Sequence, residues 1–89
     1  MARVLLTPNL KRHVDVGPID VPAGTLREAL DAAFALHPNL RGYVLDDQGH
    51  IRQHMVIFID DQPALDRLNL SDVVDTNSEI WIFQALSGG

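Results

Sequence analysis

Hydrophobic residues recur with a helical period in one part of the chain. The spacing is i, i+3, i+4, i+7 and i+8, which places them on one face of a helix. These positions are Leu26, Ala29, Leu30, Ala33 and Phe34. Thr25 and Glu28 stand where the first turn would begin and have the spacing of a capping box, in which each side chain accepts a hydrogen bond from the other residue's amide. Because Pro38 disfavours helical geometry at the residue before it, we predict that this helix ends at about His37.

Elsewhere the apolar residues form short runs that are rich in β-branched side chains, as in strands. We predict a first strand over Ala2–Leu6, a second, irregular one within residues 14–21 that pairs antiparallel to it, a candidate central strand over 54–59 that is covered on both faces or nearly so, and a last strand over 79–83. The last strand has the highest strand propensity of the four.

The segments between these elements contain many turn residues. We predict a turn at Thr7-Pro8-Asn9, a loop or one short strand over residues 39–49 that includes a turn at 46–49, and further turns at 60–63 and 75–78. Residues 64–74 show no sustained periodicity, and we expect irregular structure there with one helical turn at 71–74. The order of elements predicts a two-layer α+β domain, a mixed sheet of four to five strands packed on one main helix, with the other sheet face left for water or a partner.

Alternation along the last strand separates two pairs of side chains. Trp81 and Phe83 share one face, and Ile80 and Ile82 share the other. One pair should face the helix, and the other is a candidate docking face, because aromatic residues are enriched at the centres of interfaces. The alternative, burial of both pairs, is equally open.

Composition narrows the class of protein. The chain has 89 residues, enough for one domain with one core, and its 46% hydrophobic and 21% charged content is typical of globular proteins. No apolar run is long enough to span a membrane and the amino terminus does not resemble a secretory signal, so we expect a cytoplasmic protein with no membrane partner. The net charge of -5 disfavours nucleic acid, since only Lys11-Arg12-His13 cluster, and it suits a partner with a basic face.

Candidate catalytic and metal sites are weak. The chain has no cysteine, which excludes disulfides, thiolate zinc sites and cysteine nucleophiles. His50 and His54 have the spacing of metal ligands on a helix, but they lie in a predicted turn and strand, so we predict no metal site. The acidic pairs at 46–47 and 60–61 fit solvated turns better than a general acid and base. Neither a nucleophile elbow nor a phosphate-binding glycine loop is present.

The end of the sequence is its most informative stretch. The last strand runs through Gln84 and Ala85 into Leu86, Ser87, Gly88 and Gly89. Glycine lacks a β-carbon, so a Gly-Gly terminus fits a slot too narrow for other residues and adopts backbone angles closed to them. A frayed end and a cloning remnant are the alternatives.

These features together resemble the ubiquitin-like sulfur carriers of the MoaD/ThiS family. The resemblance covers nearly the whole chain. It lies in the capped helix followed by His37-Pro38-Asn39-Leu40, in Leu45-Asp46-Asp47-Gln48-Gly49, in the apolar run 54–59 with Asp60-Asp61, in the turn and strand over 75–83, and in the terminal Leu86-Ser87-Gly88-Gly89. The turns at 60–62 and 76–78 and the approach to the terminus differ from those of many members, which leaves the identity of the partner open.

The resemblance implies a β-grasp domain over residues 1–85, a flexible tail over 86–89, and a mechanism in which the protein is not an enzyme. An adenylating enzyme of the ubiquitin-activating type would use ATP to activate the Gly89 carboxylate, and a sulfur donor would then displace AMP to leave a thiocarboxylate. Leu86, Ser87 and Gly88 would thread the tail into a partner, including a sulfur-accepting synthase, and the carrier itself would bind no cofactor. Relatives supply sulfur for molybdopterin, the thiamine thiazole, cysteine or thiolated tRNA. A β-grasp interaction module and a ubiquitin-like modifier of target lysines remain as alternatives.

Overall fold

A computed structural model describes residues 1–12, 14 and 16–84 of the chain as a mixed five-stranded sheet with helices packed against it. The strands are Ala2–Leu6 (β1), Ile19–Val21 (β2), Gly24–Thr25 (β3), Met55–Ile59 (β4), Gln62–Pro63 (β5), Val73–Val74 (β6) and Glu79–Gln84 (β7). The helices are Pro8–Lys11 (α1), Leu26–Leu36 (α2) and Pro38–Val44 (α3). The predicted α+β class is therefore confirmed, with α2 as the longest helix. No helix in the described ranges is long and apolar enough to cross a membrane.

The main sheet has the strand order β2-β1-β7-β4-β5. β7 occupies the middle, parallel to β1 and antiparallel to β4. β4 lies inside the sheet as expected, although the central position belongs to β7 and not to β4. The antiparallel pairing of β1 with β2 is confirmed, but β2 is shorter than the predicted strand. β3 and β6 form a separate two-stranded ladder.

One face of this sheet forms the core together with α2. Alternate residues of β1 and β4 point inward and are buried, as the period of two requires, and so do Ile80 and Ile82 of β7. The apolar stripe of α2 packs on this face, and its five members are at most 5% exposed. The outward-facing residues Val56 and Phe58 of β4 are only half-buried, so the expected coverage of this strand on both faces is partial.

The start of α2 follows the capping-box prediction. The Glu28 amide donates to Thr25 Oγ1 at 3.2 Å, and the Thr25 amide donates to Glu28 Oε1 at 3.0 Å. Two further amides of the first turn are also satisfied, because Leu26 and Arg27 donate to the carbonyls of Asp72 and Leu70. The helix ends at Leu36, within one residue of the predicted position.

The prediction of a loop or short strand over residues 39–49 is wrong in its first half. Residues 38–44 form α3, with Pro38 in the first helical turn, where its missing amide costs nothing. Leu40 and Val44 are four residues apart and are both fully buried, so tertiary packing supports this short helix. Pro8 likewise lies at the start of α1, where only a turn was predicted. The turn at 46–49 is present.

The helical turn predicted at residues 71–74 is also wrong. Val73 and Val74 are extended and pair with Thr25 and Gly24. The reason is tertiary: pairing with β3 holds Val73 and Val74 extended, and the carbonyl of Asp72 accepts the first amide of α2. Two β-branched residues in succession favour the extended form.

Candidate functional site at the end of the central strand

β7 is the strand that directly precedes the proposed tail in the sequence. The strand is paired with β1 over residues 79–82 and with β4 over residues 80–84, and its final residue, Gln84, is paired with Met55. Its two neighbours hold the strand in one register, so the position of Gln84 is fixed relative to the core. The predicted tail residues Leu86, Ser87, Gly88 and Gly89, and the boundary between residues 85 and 86, lie outside the described residues.

The two faces of β7 differ in their exposure to solvent. Ile80 and Ile82 are fully buried against the helical layer. Trp81 is half-buried and Phe83 is 38% exposed on the opposite face. Sequence alternation did not show which pair faces the core. The structure places the isoleucine pair in the core and the aromatic pair on the surface.

A third aromatic ring belongs to this surface. Phe58 of β4 lies directly opposite Trp81 in the strand register, and its ring packs edge-on against Phe83 with centroids 5.3 Å apart. Trp81 and Phe83 are 6.4 Å apart at a tilted angle. Sequence reasoning did not single out Phe58. The sequence feature that could have identified it is the period of two in β4, which puts Val56 and Phe58 on the face opposite the buried positions.

Two aliphatic residues extend this surface across the sheet. Leu5 of β1 is opposite Trp81, and Val56 of β4 is opposite Phe83; both are half-buried. We call the five residues Leu5, Val56, Phe58, Trp81 and Phe83 the outer apolar face. Rigid strands hold its rings, so little side-chain freedom remains to be lost when a partner covers them.

The acidic turns have a structural role. Asp46 Oδ1 accepts hydrogen bonds from the amides of His50 and Gln48, and that from His50 is the main cause of the lowered pKa of Asp46. Asp60 accepts from the Ser78 hydroxyl at 2.7 Å and from the Glu79 amide at 2.9 Å, which lowers the pKa of Asp60. A general acid at neutral pH needs a raised pKa, so these shifts have the wrong direction for that chemistry. The two carboxylates lock turns beside β4 and β7.

The histidines show no arrangement for a metal. Among residues 1–12, 14 and 16–84, no group of three or more histidine, cysteine, aspartate or glutamate side chains could hold an ion. His50 follows the turn at 46–49 and His54 precedes β4, so the spacing of four between them does not lie on a helix. His13 lies outside the described residues.

Solved structures share this architecture over their whole length. SAMP1 from Haloferax volcanii superposes with a TM-score of 0.79 at 25% identity, over 99% of this chain and 98% of that one. A chain of the Amycolatopsis orientalis BexX/CysO complex gives 0.83 at 16% identity, over all of both chains. CysO from Mycobacterium tuberculosis gives 0.80 at 15%, over 97% of this chain and 100% of that one. The resemblance to ubiquitin-like proteins of the MoaD/ThiS type is confirmed.

Comparison by sequence gives no match. No protein-family model matches the chain, and no curated protein sequence matches it significantly. At the identities found, the ubiquitin-like β-grasp fold is shared while most side chains differ. The features of this chain that bear on its function are therefore its own central strand, outer apolar face and terminus.

Proposed function

We propose that this protein is a sulfur carrier whose Gly89 carboxylate is adenylated and then converted to a thiocarboxylate. The observation that carries the proposal is the course of β7, the central strand of a ubiquitin-like fold, which ends at Gln84, three residues before Gly88-Gly89. Such a strand supplies a fixed base for a short tail. From Ala85, four extended residues span at most about 14 Å, enough to enter a partner's active site while the domain stays outside.

The chemistry needs little from the carrier. A terminal carboxyl group has an ordinary pKa near 3.5, so it is ionised at neutral pH and attacks the α-phosphorus of ATP as a nucleophile. Pyrophosphate leaves and an acyl-adenylate forms in the activating enzyme. A sulfur donor then attacks the carbonyl carbon and AMP leaves, which exchanges one oxygen of Gly89 for sulfur. The protein contributes a tail that is long enough to reach an active site and that ends in two residues without side chains, while partner enzymes contribute the catalytic groups.

The outer apolar face is the proposed docking surface for the adenylating enzyme. Large aromatic side chains dominate binding energy at many interfaces, and here Trp81 and Phe83 lie together on β7, the strand that precedes the tail in the sequence. A partner that covers this face is placed next to the exit of the chain at Gln84. Docking and insertion of the tail would then occur on one enzyme surface.

Intact mass spectrometry tests the carrier function. The purified protein is incubated with its cognate activating enzyme, ATP and a sulfur source, and a carrier gains the mass of one sulfur in place of one oxygen. Deletion of Gly89 should abolish this gain. Trp81→Ala with Phe83→Ala should raise the KM of activation, whereas Leu36→Ala, at a residue 65% exposed on α2, serves as the matched control. An unchanged mass with a demonstrably active enzyme would favour a β-grasp interaction module instead.

A ubiquitin-like modifier is the second candidate, and the neighbour from Haloferax volcanii supports it. A structure of that protein, 23% identical to this chain, is described as a small archaeal modifier protein. In a modifier, a lysine amine of a target attacks the activated Gly89 carbonyl in place of sulfur and forms an isopeptide bond. Species of higher mass that resist reducing agents would identify this activity.

The destination of the sulfur depends on the synthase that accepts it. We expect one of the acceptors used by relatives, namely a molybdopterin precursor, the thiamine thiazole, cysteine or tRNA, and a cytoplasmic site of action. Presenting the purified thiocarboxylate to each type of synthase would identify the acceptor. Transfer to none of them would leave the modifier as the better candidate.

A further inference from the structure

The net charge of the chain is concentrated in one segment. Residues 60–79, which we call the acidic segment, contain six carboxylates and one arginine. The carboxylates are Asp60, Asp61, Asp66, Asp72, Asp75 and Glu79. The segment therefore carries the whole net charge of -5, since six acidic and six basic residues balance each other in the rest of the chain. Its single cation, Arg67, donates to the carbonyls of Arg52 and Met55, each at 2.7 Å, and is occupied there.

The acidic segment also forms part of an apolar groove. The groove has a volume of about 350 Å³ beside β5 and β6. Its apolar lining includes Ile59, Pro63, Leu65 and Val73, and its acidic lining includes Asp60 and Asp72. Leu65 is 88% exposed and Val73 is 73% exposed, so large apolar side chains face water at a site that is both concave and negatively charged.

The loop that presents Leu65 is fixed by hydrogen bonds. The carboxylate of Asp72 accepts from the amides of Leu65 and Asp66 at 3.0 and 2.9 Å. Asp66 in turn accepts from the amides of Asn69 and Ser71. A loop backbone that is held in place before binding loses less entropy when a partner covers it. The exposed position of Leu65 is therefore a built feature of this loop.

We propose that this groove docks a peptide segment of a partner protein in which an apolar side chain is flanked by arginine or lysine. The apolar side chain would lie against Leu65 and Val73, and the basic residues would face the carboxylates around them. The groove is at the far end of β4 from the tail: Ile59 pairs with Ile80 near the start of β7, and Met55 pairs with Gln84 at its end. The four steps from Ile59 to Met55 separate the two by about 14 Å along the strand.

This spacing allows both ends of β7 to be engaged at once. A partner held in the groove leaves Gln84 and the tail free to enter an active site. The proposal does not depend on the sulfur-carrier function, because it requires no activated terminus. It holds equally for a carrier, a modifier or an interaction module.

Selection from a random peptide library tests the proposal, with the full-length protein as bait. We expect enriched peptides to share an apolar residue flanked by basic ones. In NMR titrations they should shift the amides of Ile59, Leu65 and Val73, with an affinity that falls as salt is added. No enrichment, peptides without basic residues, or shifts confined to the outer apolar face would each overturn the proposal.

Matched variants separate the apolar from the charged contribution. Leu65→Ser with Val73→Ser should weaken the selected peptide by about tenfold or more, whereas Leu36→Ser, also exposed, should not change its affinity. Asp61→Asn with Asp75→Asn should reduce the salt dependence, and Asp31→Asn with Asp47→Asn, which changes the net charge equally, should not. All seven positions are exposed, so the fold should be kept. A concentration-dependent dimer that Leu65→Ser abolishes would assign the groove to a second copy and refute the proposed partner.

Discussion

Substitution of Leu30 measures how much of the stability comes from the contact between α2 and the sheet. Leu30 is 1% exposed and lies in the middle of the apolar stripe. Leu30→Ala removes most of a fully buried side chain and leaves a cavity that the surrounding strands fill only in part. Changes of this kind cost about 2 to 5 kcal/mol. For a domain whose total stability is about 5 to 15 kcal/mol, this is a large fraction.

Leu36→Ala is the matched control on the same helix. Leu36 is 65% exposed at the last position of α2, so the same chemical change there should alter stability by no more than about 0.5 kcal/mol. Both substitutions replace leucine with alanine in a helix, so differences in helix propensity largely cancel. The gap between the two variants isolates the contribution of burial.

Urea denaturation, followed by circular dichroism, supplies the measurement. The midpoint of Leu30→Ala should fall markedly while the slope of free energy against urea stays constant, since the surface exposed on unfolding changes little. Equal midpoints for the two variants would refute the placement of the α2 stripe against the sheet. A changed slope would point instead to an altered denatured state.

Three other predictions address the turns, the cap and the lysine. Ser78→Ala removes the hydroxyl that holds Asp60 and accepts from the Asp75 amide, and should cost about 1 to 3 kcal/mol at neutral pH. The pKa of Asp60 is lowered in the folded state, so the ionised Asp60 stabilises the fold at pH values above its ordinary pKa near 3.8, and this contribution is lost as the pH falls through the folded-state pKa. In urea titrations, the difference in unfolding free energy between Ser78→Ala and the unmodified protein should therefore shrink in acid. Thr25→Ala should cost about 1 kcal/mol through the lost cap, whereas Thr7→Ala, at a helix start without a side-chain cap bond, should be nearly neutral in thermal melts. Lys11 is the only lysine, so Lys11→Arg should eliminate lysine-linked self-conjugates in a gel assay if the protein is a modifier and should leave sulfur loading unchanged; persistence of those conjugates would contradict a Lys11 linkage.

The elements that the sequence predicted correctly are those with a local signal. The stripe and capping box of α2 need no knowledge of distant residues, and the apolar runs of β1, β4 and β7 carry strand propensity of their own. In contrast, α3 depends on burial of Leu40 and Val44 by the rest of the fold. Pro38 ends one helix and begins the next, and only tertiary structure shows the second role.

The residues of the candidate site could likewise be predicted from the sequence only where a local pattern marks them. Alternation separated Trp81 and Phe83 from Ile80 and Ile82, but the choice of outer pair required the position of the helices. Phe58 joins the aromatic cluster through the register between β4 and β7, which no local pattern reveals. The groove beside β5 likewise combines residues from separate turns, so its residues showed no common motif.

The positions of the outer apolar face and the groove follow from the central place of β7. β7 is paired with β1 over residues 79–82 and with β4 over residues 80–84, so both neighbours hold it in the middle of the sheet. A carrier must be recognised by an enzyme that loads it and by another that unloads it, and the terminus enters both. Because the terminus is common to both complexes, discrimination between the partners has to come from the body of the domain. If the proposed carrier function is correct, the outer apolar face and the acidic groove would provide two chemically different surfaces for that purpose.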